Sequence, residues 1–218
     1  SITARSAAGT NTLVLGRYGH YSGSTAFNLT GKIDQVRMFG DALTASQVTE
    51  LYQEQQVLIT KNASDPFGDS SELAFYKFEN NAADSTGSNT GTNYGATFTT
   101  TDALFGTYSA SFDGSNDYIQ TSLSLNAASN SVSFWFNADS VGSQNPALYF
   151  NNRGGRIDIT INGTGSNTAT ASAENILINS TTAITGWNFV SIVFTGWASS
   201  YSAGSYGSAI NATIYLNG

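Results

Sequence analysis

The residue types that carry most enzyme chemistry are scarce in this chain, and their spacing matches no catalytic pattern. There is no cysteine and only one histidine, His20, so the sequence excludes thiolate catalysis, cysteine-bound metal and multi-histidine metal sites. The chain has five glutamates, which are Glu50, Glu54, Glu72, Glu79 and Glu174. None of them shares an alternating strand face with an aspartate, so the paired carboxylates of glycoside hydrolysis are missing. We therefore expect a protein that is not an enzyme.

A different chemistry, the binding of a sugar, is available to the aromatic and polar residues of three predicted loops. Aromatic rings stack on sugar rings, while asparagine and arginine side chains hydrogen-bond to hydroxyl groups. The loops are residues 16–23, 151–155 and 196–208. The candidate ligand-binding residues in them are Tyr18, His20, Tyr21, Asn151, Arg153, Trp197, Tyr201 and Tyr206. Two alternatives stay open. The candidate residues could instead cover the hydrophobic core or contact other subunits, and loop 16–23 could be an exposed polar loop that binds nothing.

The charge balance limits the classes of partner. The net charge is −7 and only 11% of the residues are charged. No cluster of lysine and arginine is present to meet phosphates, which argues against nucleic acid and equally against anionic membrane surfaces. No apolar run is long enough to span a membrane, so membrane insertion is not expected. Threonine, serine, asparagine and glycine dominate, with many tyrosines and phenylalanines, which is typical of β-rich proteins.

The elements that must hold such loops begin with a strand, a turn and a short helix. Ile33–Phe39 is rich in apolar and β-branched residues between two glycines, which predicts a strand. Thr44 and Gln47 have the spacing of a capping box, in which each side chain satisfies a backbone amide at the start of a helix. Val48 and Leu51 then fall on one helical face. The sequence therefore predicts a short amphipathic helix that rests on a sheet.

The rest of the chain alternates short strands and turns, which gives about a dozen strands in all. Ser131–Asn137 carries apolar residues on both strand faces, so this strand is predicted to be covered on both sides. Asn80–Tyr94 is predicted to be a long polar loop, a place where function can sit. Many short strands with regularly spaced turns are typical of a β-sandwich.

Six segments also resemble a known family. Residues 31–53, GKIDQVRMFGDALTASQVTELYQ, are similar to the closing segment of laminin-G-like domains. Leu73–Gly87 resembles the family's first strand and the turn after it, Gly106–Ile119 its Phe-Asp-Gly strand pair, and Ser131–Asn137 its Ser-x-x-Trp strand. Later family strands are matched by Trp187–Thr195 and Ala212–Gly218. Laminin-G-like domains belong to the concanavalin A-like lectin/glucanase superfamily, so the resemblance implies an all-β, antiparallel jelly-roll sandwich with one short α-helix.

These segments occur in permuted order, because the closing segment comes first. Residues 1–56 resemble the end of a laminin-G-like jelly roll, residues 57–72 read as a linker, and residues 73–218 resemble its opening and central strands. A half sandwich would leave an apolar face and open edges in water, which is unfavourable. We therefore expect the two parts to pack as one permuted sandwich. The alternative is a segment cut from a tandem array, with the missing strands supplied elsewhere in the chain or by a neighbouring subunit.

The resemblance further implies a cofactor, a structural calcium ion. In many jelly rolls of this superfamily an aspartate of the closing strand and carbonyl groups near the first strands hold the ion. The matching positions here are Asp34, Gly114 and Glu79. In the alternative, Asp34 hydrogen-bonds a neighbouring loop and holds no metal.

The functional expectation combines the family resemblance with the missing catalytic groups. It is a non-catalytic, lectin-like module of a phage virion fibre or a bacterial surface protein, which recognises a cell-surface glycan at an extracellular or virion surface. One alternative is a structural assembly module that contacts neighbouring subunits without sugar specificity. Another is an accessory domain of a glycoside-active enzyme.

Overall fold

Two β-sheets and one helix make up the described part of the chain. The computed structural model describes residues 12–17, 28–54, 65–123, 129–139, 145–152, 155–162, 170–171, 175–179, 186–195 and 211–217. The helix, α1, spans Ala45–Gln53. The fourteen strands within these ranges are β1 Thr12–Leu15, β2 Thr30–Phe39, β3 Glu72–Tyr76, β4 Thr92–Tyr94, β5 Thr97–Thr99, β6 Ser109–Asp113, β7 Tyr118–Gln120, β8 Ser129–Ala138, β9 Asn145–Asn152, β10 Gly155–Asn162, β11 Thr170–Ala171, β12 Asn175–Asn179, β13 Asn188–Thr195 and β14 Asn211–Leu216.

The strands form two seven-stranded sheets. The first sheet has the order β11-β12-β10-β9-β1-β7-β4, and the second has the order β14-β13-β8-β2-β6-β5 with β3 also paired to β2. The described neighbours pair antiparallel, except that β10 and β12 run parallel. The prediction of an all-β protein with antiparallel sheets and one short helix is therefore confirmed.

The main hydrophobic core lies between the two sheets. Leu13 and Ile119 reach it from the first sheet, and Ile33 and Phe134 reach it from the second. All four side chains are fully buried. Burying a side chain of this size stabilises the fold by about 1.5–3 kcal/mol, so this shared core is what holds the two sheets together.

A second core covers the outer face of the second sheet. Trp135 of β8 and Phe189 of β13 pack there against Val48 and Leu51 of α1. Tyr52 completes the contact by stacking on Trp135, with ring centroids 5.7 Å apart. Because the neighbouring Phe134 lies in the main core, β8 is covered on both faces, as its sequence pattern predicted.

The start of α1 has the predicted capping box. The Thr44 hydroxyl accepts the Gln47 amide at 3.3 Å, and the Gln47 side chain accepts the Thr44 amide at 2.9 Å. Leu43, just before the cap, is buried together with Val48 in the second core. The prediction of a short amphipathic helix on a sheet is confirmed.

Strands from before and after the predicted linker share both sheets. β1 lies between β7 and β9, and β2 lies between β6 and β8. Residues 57–64 of the linker, including the short extended piece expected at 57–59, fall outside the described residues. Arg37 of β2 contacts both sides of the linker: its guanidinium pairs with Glu54 at 3.2 Å and with Glu72 at 2.8 Å. The same group lies 3.6 Å above the ring of Phe75.

One predicted loop is partly wrong. Asn80–Tyr94 was expected to be entirely loop, but its last three residues form β4, which pairs with β7. The turn before β4 is organised by the buried Asp84, whose carboxylate accepts the amides of Phe75 at 2.9 Å and of Asn89 at 3.0 Å. Because β4 is short, exposed along its whole length and mostly polar, it carries no strand signal of its own.

Candidate functional site

The predicted sugar-binding loops fall almost entirely outside the described residues. Asn151 is the exception, and the prediction that it lies in a loop is wrong. Its backbone lies in β9, opposite Thr12 of β1 and Arg156 of β10. The candidates outside the described residues are Tyr18, His20, Tyr21, Arg153, Trp197, Tyr201 and Tyr206. Their role in binding stays a prediction.

Asp34, the first predicted calcium ligand, holds a neighbouring loop through backbone amides. It precedes an irregularity in β2 at which Gln35 adopts φ 51°. One carboxylate oxygen accepts the Gln35 amide at 2.8 Å, and the other accepts the amides of Leu104 at 3.3 Å and Phe105 at 3.1 Å. Asp34 is 0% exposed, and its burial raises its pKa to about 7 against the opposing effect of the three amides.

Glu79, the second predicted ligand, holds the same loop from its other end. Both of its carboxylate oxygens lie 3.1 Å from the Thr107 amide. The carboxylate also lies directly over Gly106, where a Cβ atom would stand 1.7 Å from its Oε1. The negative charge of Glu79 adds to the raised pKa of Asp34, so the two carboxylates act on each other. We call Asp34, Glu79 and residues 104–107 the carboxylate clamp.

Gly114, the third predicted ligand, lies far from the clamp. It packs against Thr30, the first residue of β2, which pairs with Asp113. Thr30 and Asp34 are four residues apart on one strand, which is about 13 Å at the rise of a β-strand. Calcium ligands lie about 2.3–2.6 Å from the ion, so Gly114 and Asp34 cannot bind the same one.

The remaining donors also fit a calcium ion poorly. Each carboxylate oxygen of Asp34 already faces a backbone N–H group, whose partial positive charge repels a cation. Within the described part of the chain, no group of three or more histidine, aspartate or glutamate residues is arranged to hold a metal. The geometry matches a carboxylate that binds a loop, which is the alternative raised for Asp34.

An aromatic site that the sequence did not predict lies at the edge of the first sheet. Tyr94 of β4 and Tyr118 of β7 are direct cross-strand partners. Their rings stack with centroids 4.5 Å apart and planes 11° apart. The Arg17 guanidinium lies 4.9 Å from the centre of the Tyr118 ring. Tyr94 is 44% exposed, more than any other large hydrophobic side chain in the described residues. We call these three residues the tyrosine stack.

Backbone turns on both sides fix the position of the tyrosine stack. Gly95, which follows Tyr94, has φ 92° and leaves no room for a side chain, because Asp117 Oδ1 lies 2.2 Å from where its Cβ would be. Asp117, which precedes Tyr118, accepts the Asp113 amide at 3.0 Å and so closes its own turn. Both tyrosines are therefore attached to short, constrained segments, which reduces the freedom of their rings before any ligand arrives.

Arg17 connects the tyrosine stack to one of the predicted binding loops. Its backbone forms an isolated antiparallel bridge with Asn28, which closes the base of segment 18–27. Three of the predicted sugar-binding residues belong to that segment. The tyrosine stack therefore includes the residue that directly precedes these predicted binding residues in sequence.

Comparisons with known proteins give no relative from which a function could be transferred. No protein-family model, curated protein or solved structure matches the chain. Among the described residues, no helix is long and apolar enough to cross a membrane. The functional argument therefore depends on the chemistry of the residues themselves.

Proposed function

We propose that this chain is a non-catalytic recognition module of a surface assembly, such as a phage virion fibre or a bacterial surface protein, and that it binds a cell-surface glycan. The tyrosine stack is the observation that carries the proposal. The exposed ring of Tyr94, held in place by the ring of Tyr118, is suited to stack against the C–H groups of a sugar ring. Such a module acts outside the cell or on the virion.

Charge supports a sugar over other ligands that stack on aromatic rings. Nucleic acid bases also stack on tyrosine, but a groove that follows their phosphates requires several lysines and arginines, and the tyrosine stack contains one, Arg17. This chain has 8 basic and 15 acidic residues, and its net charge is −7. A neutral polyhydroxylated ligand avoids the repulsion that an anionic polymer would meet.

The buried carboxylates support a non-catalytic function. Burial raises the pKa of Asp34 and of Glu72 to about 7, a value that suits a general acid. However, Asp34 is 0% exposed and the Glu72 side chain is also 0% exposed. A catalytic acid must come within hydrogen-bond distance of its substrate, which neither group can do without unfolding its surroundings.

The architecture is compatible with a permuted jelly roll of the concanavalin A-like type. Two seven-stranded sheets enclose the main core, and each sheet holds one strand of the first predicted part, β1 or β2, between strands of the second part. The proposal is that β1, β2 and α1 take the place of the closing segment of a laminin-G-like domain.

A second candidate function is subunit assembly without sugar specificity. It is favoured by the free side of β14, the outermost described strand of the second sheet. Leu216 on this strand is 38% exposed. Edge strands with exposed apolar residues pair readily with other chains, so this edge is a candidate subunit contact.

A glycan array separates the two functions. The labelled full chain is applied to the array in calcium-containing buffer and again with a chelator, while its molar mass is measured by light scattering over a range of concentrations. Binding to a defined subset of glycans supports the recognition function. A folded protein that binds no glycan in either buffer contradicts it, and self-association under the same conditions then favours assembly.

A further inference from the structure

The three groups of the tyrosine stack lie in a fixed order. In the first sheet β7 lies between β1 and β4. The Tyr118 ring of β7 therefore contacts Arg17 on its β1 side and the Tyr94 ring on its β4 side. The rings of Tyr94 and Tyr118 are nearly parallel, with planes 11° apart. The order is Arg17, Tyr118, Tyr94, and both faces of the Tyr118 ring are covered by protein groups.

Only the outer end of this order is open to a ligand. β4 is the last described strand on its side of the first sheet, so the second face of the Tyr94 ring is directed away from the stack, beyond the edge of the sheet. The exposure of Tyr94, 44%, agrees with one covered and one open face. Tyr118 is only partly exposed, as expected for a ring between two neighbours.

One polar side chain lies on the same strand as the open ring of Tyr94, and a second lies on the strand behind it. Thr92 lies two residues before Tyr94 on β4, and Gln120 is its direct cross-strand partner on β7. Residues two apart on a strand share a face of the sheet, so Thr92 and Gln120 lie beside the two tyrosines. Thr92 is exposed and Gln120 is partly exposed. Thr92 shares the edge strand with Tyr94, whereas Gln120 lies on the Tyr118 side of the stack. The Thr92 hydroxyl is therefore the group placed to hydrogen-bond a hydroxyl of a sugar that stacks on Tyr94.

We infer that the outer ring face of Tyr94 binds one neutral hexopyranose unit of the ligand, with Thr92 of the same edge strand beside it as a hydrogen-bonding group. The inference rests on the glycan-binding function proposed above. Tyr118 and Arg17 act as positioning residues, because they hold the Tyr94 ring from behind and do not touch the sugar. The ligand is uncharged for two reasons. The Tyr118 ring separates the sugar from Arg17, so the cation of the tyrosine stack is not close enough to pair with an anionic ligand, and the chain as a whole is acidic.

The test measures binding of three small probes to the full chain by saturation-transfer NMR and titration. The neutral probes are methyl β-D-galactopyranoside and methyl β-D-glucopyranoside, and the charged comparison is the methyl glycoside of N-acetylneuraminic acid. We expect at least one neutral probe to bind, with saturation strongest at the ring C–H protons that face Tyr94. Tyr94→Ala should weaken this binding at least about tenfold, whereas Tyr94→Phe should stay within about threefold because the ring face is kept.

Two further variants examine the positioning role. Tyr118→Ala should weaken binding because the Tyr94 ring loses its support, and Tyr118→Phe should restore binding because its ring stacks equally well. Thr97→Ala, an exposed change on β5 of the other sheet, is the matched surface control and should bind as the unaltered protein does. Thermal unfolding of each variant shows whether it is folded. Tyr94→Ala is expected to remain folded, because Tyr94 lies at the edge of the sheet, is 44% exposed and belongs to neither hydrophobic core.

The outcomes distinguish the inference from the proposed function. If the unaltered chain binds neither the probes nor any glycan on an array, the proposed function fails and the inference fails with it. If it binds glycans and folded Tyr94→Ala binds them equally well, the inference is overturned while glycan recognition stands at another site. A preference for the charged probe overturns the assignment of a neutral ligand.

Discussion

The free energy of unfolding of this protein should rise as the pH is lowered from 8 to 5, which is opposite to the behaviour of proteins held by exposed ion pairs. The cause is Asp34 in the carboxylate clamp, whose pKa is raised by burial from 3.8 to about 7 in the folded chain. Between these two values the folded state binds a proton that the unfolded state does not. By linkage, the stability contributed by this proton is fully present below the unfolded value and is lost as the pH rises through 7.

The magnitude follows from the size of the shift. Each pKa unit corresponds to about 1.4 kcal/mol, and a shift of about three units, titrated between pH 8 and pH 5, amounts to about 2–3 kcal/mol. Burial also raises the pKa of Glu72 to about 7, so its effect has the same sign. Asp84 acts in the opposite direction: burial raises its pKa, but amide hydrogen bonds outweigh that and lower it below 3.8. The protonation of Asp84 therefore lowers the free energy of unfolding only below pH 5, outside the range of the experiment.

Urea unfolding at pH 8, 7, 6 and 5, followed by tryptophan fluorescence, measures this effect. Asp34→Asn is the informative variant, because it removes the titrating group. The variant should be less stable than the unaltered protein at pH 5, since its amide nitrogen meets a backbone N–H group, and its stability should change less between pH 8 and 5. If the unaltered protein is no more stable at pH 5 than at pH 8, or if Asp34→Asn keeps the full pH dependence, the reasoning about the clamp is wrong.

Three further predictions concern other contacts. Arg37→Ala leaves the buried Glu72 carboxylate without its partner and should lower the free energy of unfolding by about 3–5 kcal/mol, measured by urea unfolding at pH 7.5; a loss below 1 kcal/mol would contradict this. Thr44→Ala removes the helix cap and should cost about 1 kcal/mol in the same assay, with the exposed helix change Ser46→Ala as control. Adding EDTA should leave the thermal midpoint unchanged, because amides already occupy the carboxylate of Asp34; a drop of several degrees would show that a cation is bound.

Local sequence patterns predicted the fold well where neighbours in sequence are also neighbours in space. The helix cap at Thr44 is a contact between residues three apart, and its geometry follows from residue types alone. The burial of both faces of β8 follows similarly from an unbroken apolar run around Phe134 and Trp135. β4 was missed because its three exposed residues form a strand only through their pairing with β7.

The candidate site depended on contacts that a pattern cannot show. Tyr94 and Tyr118 meet because β4 and β7 are adjacent, and neither residue has a local motif that selects the other. The partners of Asp34, the amides of Leu104 and Phe105, lie about seventy residues away and are backbone groups, which every residue has. The family resemblance identified Asp34 as a candidate calcium ligand, and its residue type did not distinguish loop binding from metal binding.

The central positions of β1 and β2 have a consequence for how the chain folds. Gly31 of β2 pairs with Phe112 and with Ala138, so both of its neighbours come much later in the chain. Contacts so distant in sequence form slowly. During synthesis β2 can pair early with β3, whereas β1 has no partner strand until β7 has left the ribosome. A strand in that state is readily taken up by the sheet of another copy. Expression yield should therefore depend more on the rate of translation and on chaperones than on the stability of the finished sandwich.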